Sequence, residues 1–476
     1  MTNHAQKHPK YRRFSVVSSF SLSLVALSTL CSVNAYSQQT DQERIQSLEQ
    51  RLLELEQQIQ KKNSQNSATT KVQPSKADSD KKVIVIPKTS QRPSHDFEAP
   101  DKSIVLSNSD TTLQIGGQIW LDAIYNNGEM TNRAGFQPSS IAYENDTTTD
   151  NTLFSVGQSN LSFKSFTPTK YGVMTTRFEF DLFDSQGNAG INLTHMWGEI
   201  GDFGAGQTFT GFMDINSFPN ILDFWGPNSL VFARQPQIRY STDISKSGRI
   251  MFTVEKSASD FAVPRYSTGE IPYDDINELP DFTASYLHRG DFGYINSAMV
   301  FRQLGYKATI SGTAIEDTTL GWGLNVTGKI AIASADSINF QLAYGEGIGR
   351  YINDTCCSYY SGDAGVEGDE TGGVDAGLDG NGNLTAIPVT AGFAFYNRQW
   401  SKKWSSAIGY SYLSVDNLVT QKNKSIKNSS YSTVNLIWYP ASQIKAGVEM
   451  QYGDIQSKAQ FEADNFRFQL SVGFKY

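Results

Sequence analysis

The sequence predicts an all-β protein, a 16-stranded antiparallel transmembrane β-barrel that follows a coiled-coil helix. Charged residues make up 18% and aromatic residues 12% of the 476-residue chain, whereas a soluble globular protein has about 25% charged residues. No segment of the mature chain has ~18 consecutive apolar residues, which excludes a helical membrane protein. Alternation of apolar and polar residues begins at Thr112 and continues to the C-terminus, as in membrane-spanning strands.

Residues 1–35 have the layout of a cleavable secretory signal peptide. Four basic residues precede an apolar stretch over residues 14–30, and we expect cleavage after Ala35. Cys31 offers lipid attachment as an alternative, but Leu30 before it is larger than such signals accept. Because the leader holds no acidic residue, its removal changes the net charge from −8 to −12. This negative net charge excludes nucleic acid as a partner.

Residues 36–62 have a helical period and predict a short parallel coiled coil in the periplasm. Apolar residues recur at alternating spacings of three and four, at Ile45, Leu48, Leu52, Leu55 and Ile59. These positions form the a and d seam of a heptad, and Arg and Glu at the g and e positions can pair between chains. The pattern favours a homo-oligomer and leaves dimer and trimer open. A single amphipathic helix is the alternative, since two heptads are marginal alone.

A polar segment, residues 63–110, connects this helix to the barrel. It is rich in Ser, Lys, Asp, Gln and Pro, a composition that cannot bury a core, so we predict a flexible periplasmic linker. An apolar island at residues 83–86 is consistent with a short strand or a docking peptide. The barrel is predicted to occupy residues 111–476.

The barrel strands are predicted from segments of strict alternation. In the first segment, Leu113, Ile115 and Ile119 share one face, and Gln114 and Gln118 share the other. An even number of strands suits a closed bacterial barrel, which exposes no strand edge to lipid. Sixteen candidate strands start near residues 112, 153, 172, 190, 203, 230, 249, 281, 292, 320, 337, 388, 404, 430, 443 and 464.

Tight turns alternate with long connections along this series. The long connections are residues 126–152, 211–229, 256–280 and 351–387. Short periplasmic turns and long external loops are the arrangement of outer-membrane barrels.

The C-terminal segment is the most specific barrel signal. Six apolar residues alternate to the end of the chain: Phe466, Phe468, Leu470, Val472, Phe474 and Tyr476. A soluble edge strand with six exposed apolar residues would invite aggregation, whereas a final aromatic residue is typical of outer-membrane barrels. We therefore predict that the protein is located in the bacterial cell outer membrane.

Several segments of the barrel resemble the DcaP-like outer-membrane porins. They are GQTFT (206–210), FMD (212–214), DFWGPN (223–228), RQPQIRY (234–240), RFEFD (177–181), LPD (279–281), FRQL (301–304) and GRY (349–351). The resemblance implies a trimer of 16-stranded barrels that passes small anionic solutes such as dicarboxylates. One departure is Thr194, where the family tends to have Arg, and this difference bears on the anion preference.

Residues 211–228 are too apolar for a solvent-exposed loop. In porins the third external loop folds into the barrel and narrows it, and we expect the same of this segment. Phe212 and Trp225 would belong to this constriction loop. Asp214 and Asp223 would sit on it, opposite arginines of the barrel wall.

Six arginines are predicted to line the pore and to contact the solute: Arg177, Arg239, Arg302, Arg350, Arg398 and Arg234. Arg177 and Arg239 share the polar faces of their strands and therefore point inward. Arg398 follows Gly392 and Ala394 on the small-residue face of its strand, which we also take to be the inner face.

The inward orientation of the other three arginines is predicted on different grounds. Arg302 and Arg350 are placed inward chiefly through the resemblance, and Arg234 has the parity opposite to Arg239 unless a bulge intervenes. Guanidinium groups pair bidentately with carboxylates, so a ring of them can bind a dicarboxylate. The alternative is that inward Arg, Asp and Glu side chains satisfy one another across the lumen.

No metal or cofactor is predicted. Four oxygen-bearing residues of the acidic external loop could donate to Ca²⁺: Asp375, Asp379, Asn381 and Asn383. Their spacing does not match an EF-hand, so a solvated acidic loop is the preferred interpretation. Cys356 and Cys357 could form an adjacent disulfide or bridge subunits, and the residues do not choose between these.

No enzymatic activity is predicted. A barrel lipase would need a Ser, a His and an orienting group together, and His195 shares the lipid-facing parity of Leu193 and Trp197. The sequence therefore predicts a passive homotrimeric channel for small anionic organic solutes, embedded in outer-membrane lipid and lipopolysaccharide. A general non-selective porin and a structural or adhesive barrel are the alternatives.

Overall fold

The computed structural model describes residues 103–106, 109–143, 151–259, 261–262, 273–276, 278–310, 313–355, 375–419 and 421–476. The predicted signal peptide, the coiled coil, most of the linker, and Cys356 and Cys357 lie outside these residues.

Strands account for most of the described chain. In order they are β1 (Ile104–Val105), β2 (Thr112–Asn126), β3 (Asn151–Ser155), β4 (Asn160–Thr169), β5 (Gly172–Asp181), β6 (Asn192–Ile200), β7 (Phe203–Phe209), β8 (Arg234–Asp243), β9 (Gly248–Glu255), β10 (Phe261–Ala262), β11 (Tyr273–Asp275), β12 (Asp281–Gly290), β13 (Gly293–Ile310), β14 (Thr313–Ala333), β15 (Asp336–Glu346), β16 (Ala376–Leu378), β17 (Leu384–Ala386), β18 (Pro388–Ser401), β19 (Trp404–Val415), β20 (Ile426–Ala441), β21 (Ile444–Ser457) and β22 (Glu462–Lys475). Short 3-10 helices are described at Pro138–Ser140, Ile215–Ser217 and Gly349–Tyr351. No helix in these ranges is long and apolar enough to cross a membrane.

Sixteen antiparallel strands form a closed barrel, which confirms the predicted barrel. β3 and β4 are two halves of one barrel strand, because both pair with β2. The other members are β2, β5–β9, β12–β15 and β18–β22, while β1 and β11 extend the pairing of β2 and β13. Pairing of β22 with β2, from Lys475 with Gln118 to Arg467 with Asn126, closes the barrel. β10, β16 and β17 form a separate small sheet.

The alternation of the sequence separates the outer wall from the interior. On β2 and β22, Ile119 is 60% exposed and Leu470 is 47% exposed on the outer wall. Asp122 and Gln469 point inward and are buried, and the Gln469 amide donates to the Asp122 carboxylate at 3.0 Å. The apolar face of each strand therefore lies outside and the polar face inside, as the period of two predicts.

The strands of the barrel wall are shorter on one side than on the other, and we call the side formed by β4–β9 and β12 the low wall. β4–β9 and β12 have 7 to 10 residues each, whereas β13 has 18 and β14 has 21. Tight turns join the strands at one end of the barrel, and Gly201 sits in one of them at a φ of 57°, which a glycine adopts without strain. The long connections all lie at the opposite end.

Three of the long connections fold into the barrel. We name them the first loop (127–143 of the described chain), the inner loop (210–233) and the β15 loop (347–355). Phe136, Phe212 and Ile348, one from each loop, are fully buried in one cluster. Inward side chains of the wall, such as Phe395 and Leu413, complete this cluster. The apolar core therefore occupies the side of the barrel formed by β13–β21.

Candidate functional site

The inner loop is fixed along one side to the barrel wall. Asn325 of β14 donates to the Phe212 carbonyl at 2.9 Å, and Asn339 of β15 donates to the Ser217 carbonyl at 3.1 Å. Farther along, the Glu449 carboxylate accepts the backbone N–H of Leu222 at 2.7 Å. These bonds attach the backbone of the loop to the wall at three points along its length.

The opposite edge of the inner loop faces the open part of the lumen. Ile215 is 39% exposed, Asn216 is exposed, and Phe218 is half-buried. Because the other side of the loop contacts β14–β21, this edge faces β4–β8. We infer from this that the passage lies between the low wall and the loop edge, which is neutral and partly apolar.

The two acidic residues of the loop do not face this passage. The Asp214 carboxylate accepts from the Thr327 hydroxyl at 2.7 Å and from its own turn at Asn216. Asp223 is buried, and one of its oxygens lies 4.0 Å from Arg467. The structure thus places neither of them against the six arginines singled out in the sequence.

Phe212 and Trp225 belong to the core that supports the loop. Phe212 packs edge-on against Tyr351 with ring centroids 5.6 Å apart. Trp225 is 8% exposed and lies 5.8 Å from the ring of Phe183. These rings stabilise the position of the loop and do not contact the open lumen.

The inner face of the low wall carries cations as well as the carboxylates of Glu179 and Glu199. Lys164 of β4 pairs directly with Arg177 of β5, which in turn pairs with Trp197 of β6. Arg239 of β8 lies on the same side, with its guanidinium carbon 5.1 Å from the Trp197 ring centroid. Its neighbour Ile238 is 63% exposed on the outer wall, so Arg239 faces inward as the sequence predicts.

The partners of these cations differ. Arg177 is paired with Glu179 at 2.7 Å. Arg239 donates to neutral acceptors, the Gln237 side chain at 3.0 Å and the Phe209 carbonyl. Lys164 has no carboxylate within salt-bridge distance among the described residues. Nothing in its sequence neighbourhood singled it out beyond its place on the polar face of β4.

Arg234 lies at the start of β8 between two rings. Its guanidinium carbon is 5.1 Å from the Phe209 ring centroid and 4.8 Å from that of Phe232. The group is close enough to Asp181 to interact with it electrostatically. The structure therefore places Arg234 at the loop end of the low wall, near Asp181.

Arg302 points inward, as the resemblance implies, but it is fully buried. Its guanidinium lies 3.0 Å from Asp281 and 3.0 Å from Asp375. Arg350 is half-buried in the β15 loop, and its backbone N–H donates to Asp375 at 2.9 Å. Arg302 therefore has no surface left for a solute, and its counter-charges come from the first residue of β12 and from Asp375.

The inward orientation predicted for Arg398 is wrong. Phe393 and Phe395 take the inner face of β18 and pack in the apolar core, so Arg398 falls on the outer face with Tyr396. There it pairs with Asp336 at 3.1 Å, next to the turn that follows β18. Small residues lie outside on this strand because the folded-in loops make its inner surroundings apolar.

The lipid-facing orientation predicted for His195 is also wrong. One extra residue in β6 shifts its register, so that Glu179 pairs with His195 while the next residue, Phe180, pairs with Leu193. His195 is consequently 2% exposed, and its ring lies 2.9 Å from the Thr208 hydroxyl. A bulge of this kind leaves no mark in the alternation pattern.

Arg467 is the inward arginine that sequence reasoning missed. It is fully buried on β22, where it donates to the Asn126 side chain at 2.7 Å and to first-loop carbonyls, including that of Arg133 at 3.0 Å. Its position on the polar face of the C-terminal strand, with Gln469 and Ser471, was a signal that could have found it. Its role here is to hold the first loop inside the barrel.

Asp354 of the β15 loop also binds the first loop. Its carboxylate accepts the Ser139 backbone N–H at 3.0 Å and the Ser429 hydroxyl at 2.9 Å, and the side chain is fully buried. Burial removes water from the charged form and raises the pKa of Asp354 to about 6, although the bonds from Ser139 and Ser429 oppose this shift.

Replacing Asp354 by Asn is expected to raise the heat resistance of the folded barrel at pH 8, with a gain that shrinks by about half at pH 5. A carboxyl whose folded pKa lies above its unfolded value of 3.8 contributes stability that is complete below that value and is lost as the pH rises through 6. The measurement is the temperature at which the folded band converts to the unfolded band on SDS gels.

Asp379→Asn is the control for this comparison. Asp379 is exposed, and backbone bonds from Asn383 and Asn381 lower its pKa, so it is ionised at both pH values. A gain for Asp354→Asn that is equal at pH 5 and pH 8 would contradict the role assigned to burial.

The acidic external segment does not assemble a cation site in the part of it that the structure describes. Asp375 is paired with Arg302, and Asp379 accepts the backbone N–H groups of Asn381 and Asn383 in its own turn. Among the described ranges, no group of three or more His, Cys, Asp or Glu side chains is arranged to hold a metal ion.

A solved structure of another outer-membrane channel shows the same fold. The outer membrane channel DcaP of Acinetobacter baumannii superposes with a TM-score of 0.65 at 18% identity, over 78% of this chain and 99% of that chain. OmpT of Vibrio cholerae gives a TM-score of 0.48 at 12% identity over 78% and 99% of the two chains. An anion-selective porin from Comamonas acidovorans gives 0.49 at 8% identity over 77% and 100%.

Comparison at the level of sequence families gives the assignment. No curated protein matches the chain. The model of the DcaP outer membrane protein family matches residues 32–476, which include the entire barrel. This match spans far more than half of the sequence, and the chain therefore belongs to the DcaP outer membrane protein family.

Proposed function

We propose that this outer-membrane channel is a passive route for small anionic organic solutes, dicarboxylates included. Two cations on the inner face of the low wall carry the proposal. Lys164 and Arg239 point into the lumen, and neither has a carboxylate within salt-bridge distance among the described residues. Charged groups that line a constriction in a low-dielectric wall raise the local concentration of ions of the opposite sign.

The inner loop supports the same proposal because both of its carboxylates are buried. Asp214 is bound to Thr327, and Asp223 is buried near Arg467. The loop therefore offers no exposed carboxylate to offset the cations across the passage. A planar guanidinium such as that of Arg239 can hold a carboxylate through two hydrogen bonds.

A weakly selective porin is the second candidate. Arg177 is paired with Glu179, and Glu199 and Glu255 interact electrostatically with Arg239. Charges of both signs therefore share this wall, and if they balance, only solute size limits passage.

We also propose a homotrimer with its N-terminal coiled coil in the periplasm. The low wall supports an association of barrels, because the seven residues of β7 span only about 23 Å, less than the ~30 Å of the hydrocarbon core. On the outer face of β4 and β5, the Ser165 and Thr176 hydroxyls lie 2.6 Å apart, a polar contact that suits a protein neighbour. The heptads at residues 36–62 would then extend the association.

Planar-bilayer recordings test the channel and its selectivity together. The purified protein is expected to close in three equal steps and to prefer a dicarboxylate anion to potassium in reversal potentials. Replacing Lys164 and Arg239 together by Gln should lower this permeability ratio about threefold to tenfold, because it removes the two cations of this wall that have no carboxylate within salt-bridge distance among the described residues. Uptake of a neutral sugar of similar size should change little.

Arg398→Gln is the matched control, since Arg398 lies on the outer face. It should leave the permeability ratio unchanged. Equal ratios in the wild type and the double variant would refute the anion site and favour the weakly selective porin. A protein that forms no channel would instead indicate a structural or adhesive barrel.

A further inference from the structure

The bulge in β6 determines which residues of that strand face the lumen. Thr194 is the extra residue, it is 2% exposed, and its hydroxyl donates to the Glu179 carbonyl at 2.9 Å. Beyond it the parity of the strand is reversed, so Met196 is 56% exposed on the outer wall and Trp197 points inward. Bulges re-aim side chains in this way.

Neighbouring residues of the wall hold the indole of Trp197 in place. The ring lies over Gly204 of β7, where an added Cβ would overlap it. Its nitrogen donates to the Glu199 carboxylate at 3.1 Å, and the Arg239 guanidinium lies 5.1 Å from its centroid. The indole is therefore fixed beside the cation that the proposed function assigns to anion binding.

Across the passage, the inner loop presents an apolar edge. Ile215 is 39% exposed and Phe218 is half-buried. The passage is thus bounded by cations and a flat ring on one side and by apolar side chains on the other. Charge alone does not distinguish an inorganic anion from a carboxylate, whereas apolar surface does.

We propose that Trp197, turned inward by the bulge at Thr194, is a specificity-determining residue that favours organic anions carrying an apolar ring over inorganic anions of equal charge. The proposal rests on the proposed function and names its substrate class more closely. A carboxylate bound at Arg239 would place its ring against the indole, a contact that aromatic rings favour. Small inorganic anions make no such contact.

The test compares benzoate with chloride in reversal-potential measurements on the full-length channel. Trp197→Leu is expected to lower the benzoate-to-chloride permeability ratio about threefold to tenfold, as for the loss of one aromatic contact, while the chloride-to-potassium ratio stays as in the wild type. Trp197→Phe keeps a ring and should retain most of the benzoate preference. It also covers the case in which the Leu variant fails to fold.

Trp400→Leu is the matched control. Trp400 also lies over an arginine, Arg398, at 4.6 Å, but it is 59% exposed on the outer side of the wall, so its loss should leave both ratios unchanged. An unchanged benzoate-to-chloride ratio in both Trp197 variants, with anion preference intact, would overturn the role of Trp197 alone. A wild-type channel without anion preference would overturn the proposed function and this proposal with it.

Discussion

Replacement of Arg302 by Met is expected to destabilise the folded barrel by about 3–5 kcal/mol, the usual effect of removing one partner from a buried ion pair. The guanidinium is fully buried between Asp281 and Asp375, each 3.0 Å away. The Tyr351 hydroxyl also donates to Asp281 at 2.7 Å. Without the cation, two carboxylates whose side chains are fully buried lose their counter-charge.

The readout is the midpoint of urea unfolding in detergent micelles. Arg177→Met provides the comparison, because Arg177 forms a partly exposed pair with Glu179 and such pairs contribute about 0–1 kcal/mol. If both variants lose the same stability, the ion network around Arg302 does not hold the loops. The triple change of Arg302→Met, Asp281→Asn and Asp375→Asn should recover part of the loss.

Replacement of Arg467 by Met is expected to release the first loop into the lumen and to cost about 3–5 kcal/mol of stability. The guanidinium donates to the carbonyls of Arg133, Ala134 and Gly135 at 3.0 to 3.3 Å, and a hydrogen bond from a charged group contributes about 1.5–3 kcal/mol. No other donor reaches these three carbonyls from β22.

Single-channel conductance is the measurement for this variant. We expect larger current fluctuations than in the wild type, because the first loop loses its attachment to the last strand while it stays bound to Asp354. Lys475→Met changes a lysine of the same strand that is exposed at the turn end, and it should leave the current trace unaltered. A quiet trace from Arg467→Met would show that the loop is held by other contacts.

The architecture of the barrel could be predicted from the sequence because its signal is local. Period-two alternation needs only neighbouring residues, and it located strand starts such as Thr112, Gly172 and Phe203. The outward faces of β2 and β22 follow from the same pattern. Closure then follows from the need to pair every edge in lipid.

The orientation of individual side chains was less predictable, because it depends on contacts that are distant in sequence. The error at Arg398 arose because Phe393 and Phe395 belong to an apolar cluster with loop residues such as Phe136 and Phe212, which lie more than 150 positions earlier. The error at His195 arose because one inserted residue, Thr194, reverses the parity of half a strand.

The buried arginines illustrate a third case. The resemblance placed Arg302 inward correctly, yet only the folded loops show that Asp281 and Asp375 neutralise it. Arg467 was not among the predicted inward arginines, although its place on the polar face of β22 indicates that it points inward. Parity indicates which way a residue points, whereas access to the lumen depends on where the loops lie.

The bond between Arg467 and Asn126 joins two residues 341 positions apart. β22 carries the arginine and closes the barrel by pairing with β2, so the first loop cannot acquire its final position until the barrel has closed. Contacts this distant in sequence form slowly. The interior of the channel therefore takes its final form after the barrel closes. A chain that has not closed its sheet cannot yet have a narrowed passage.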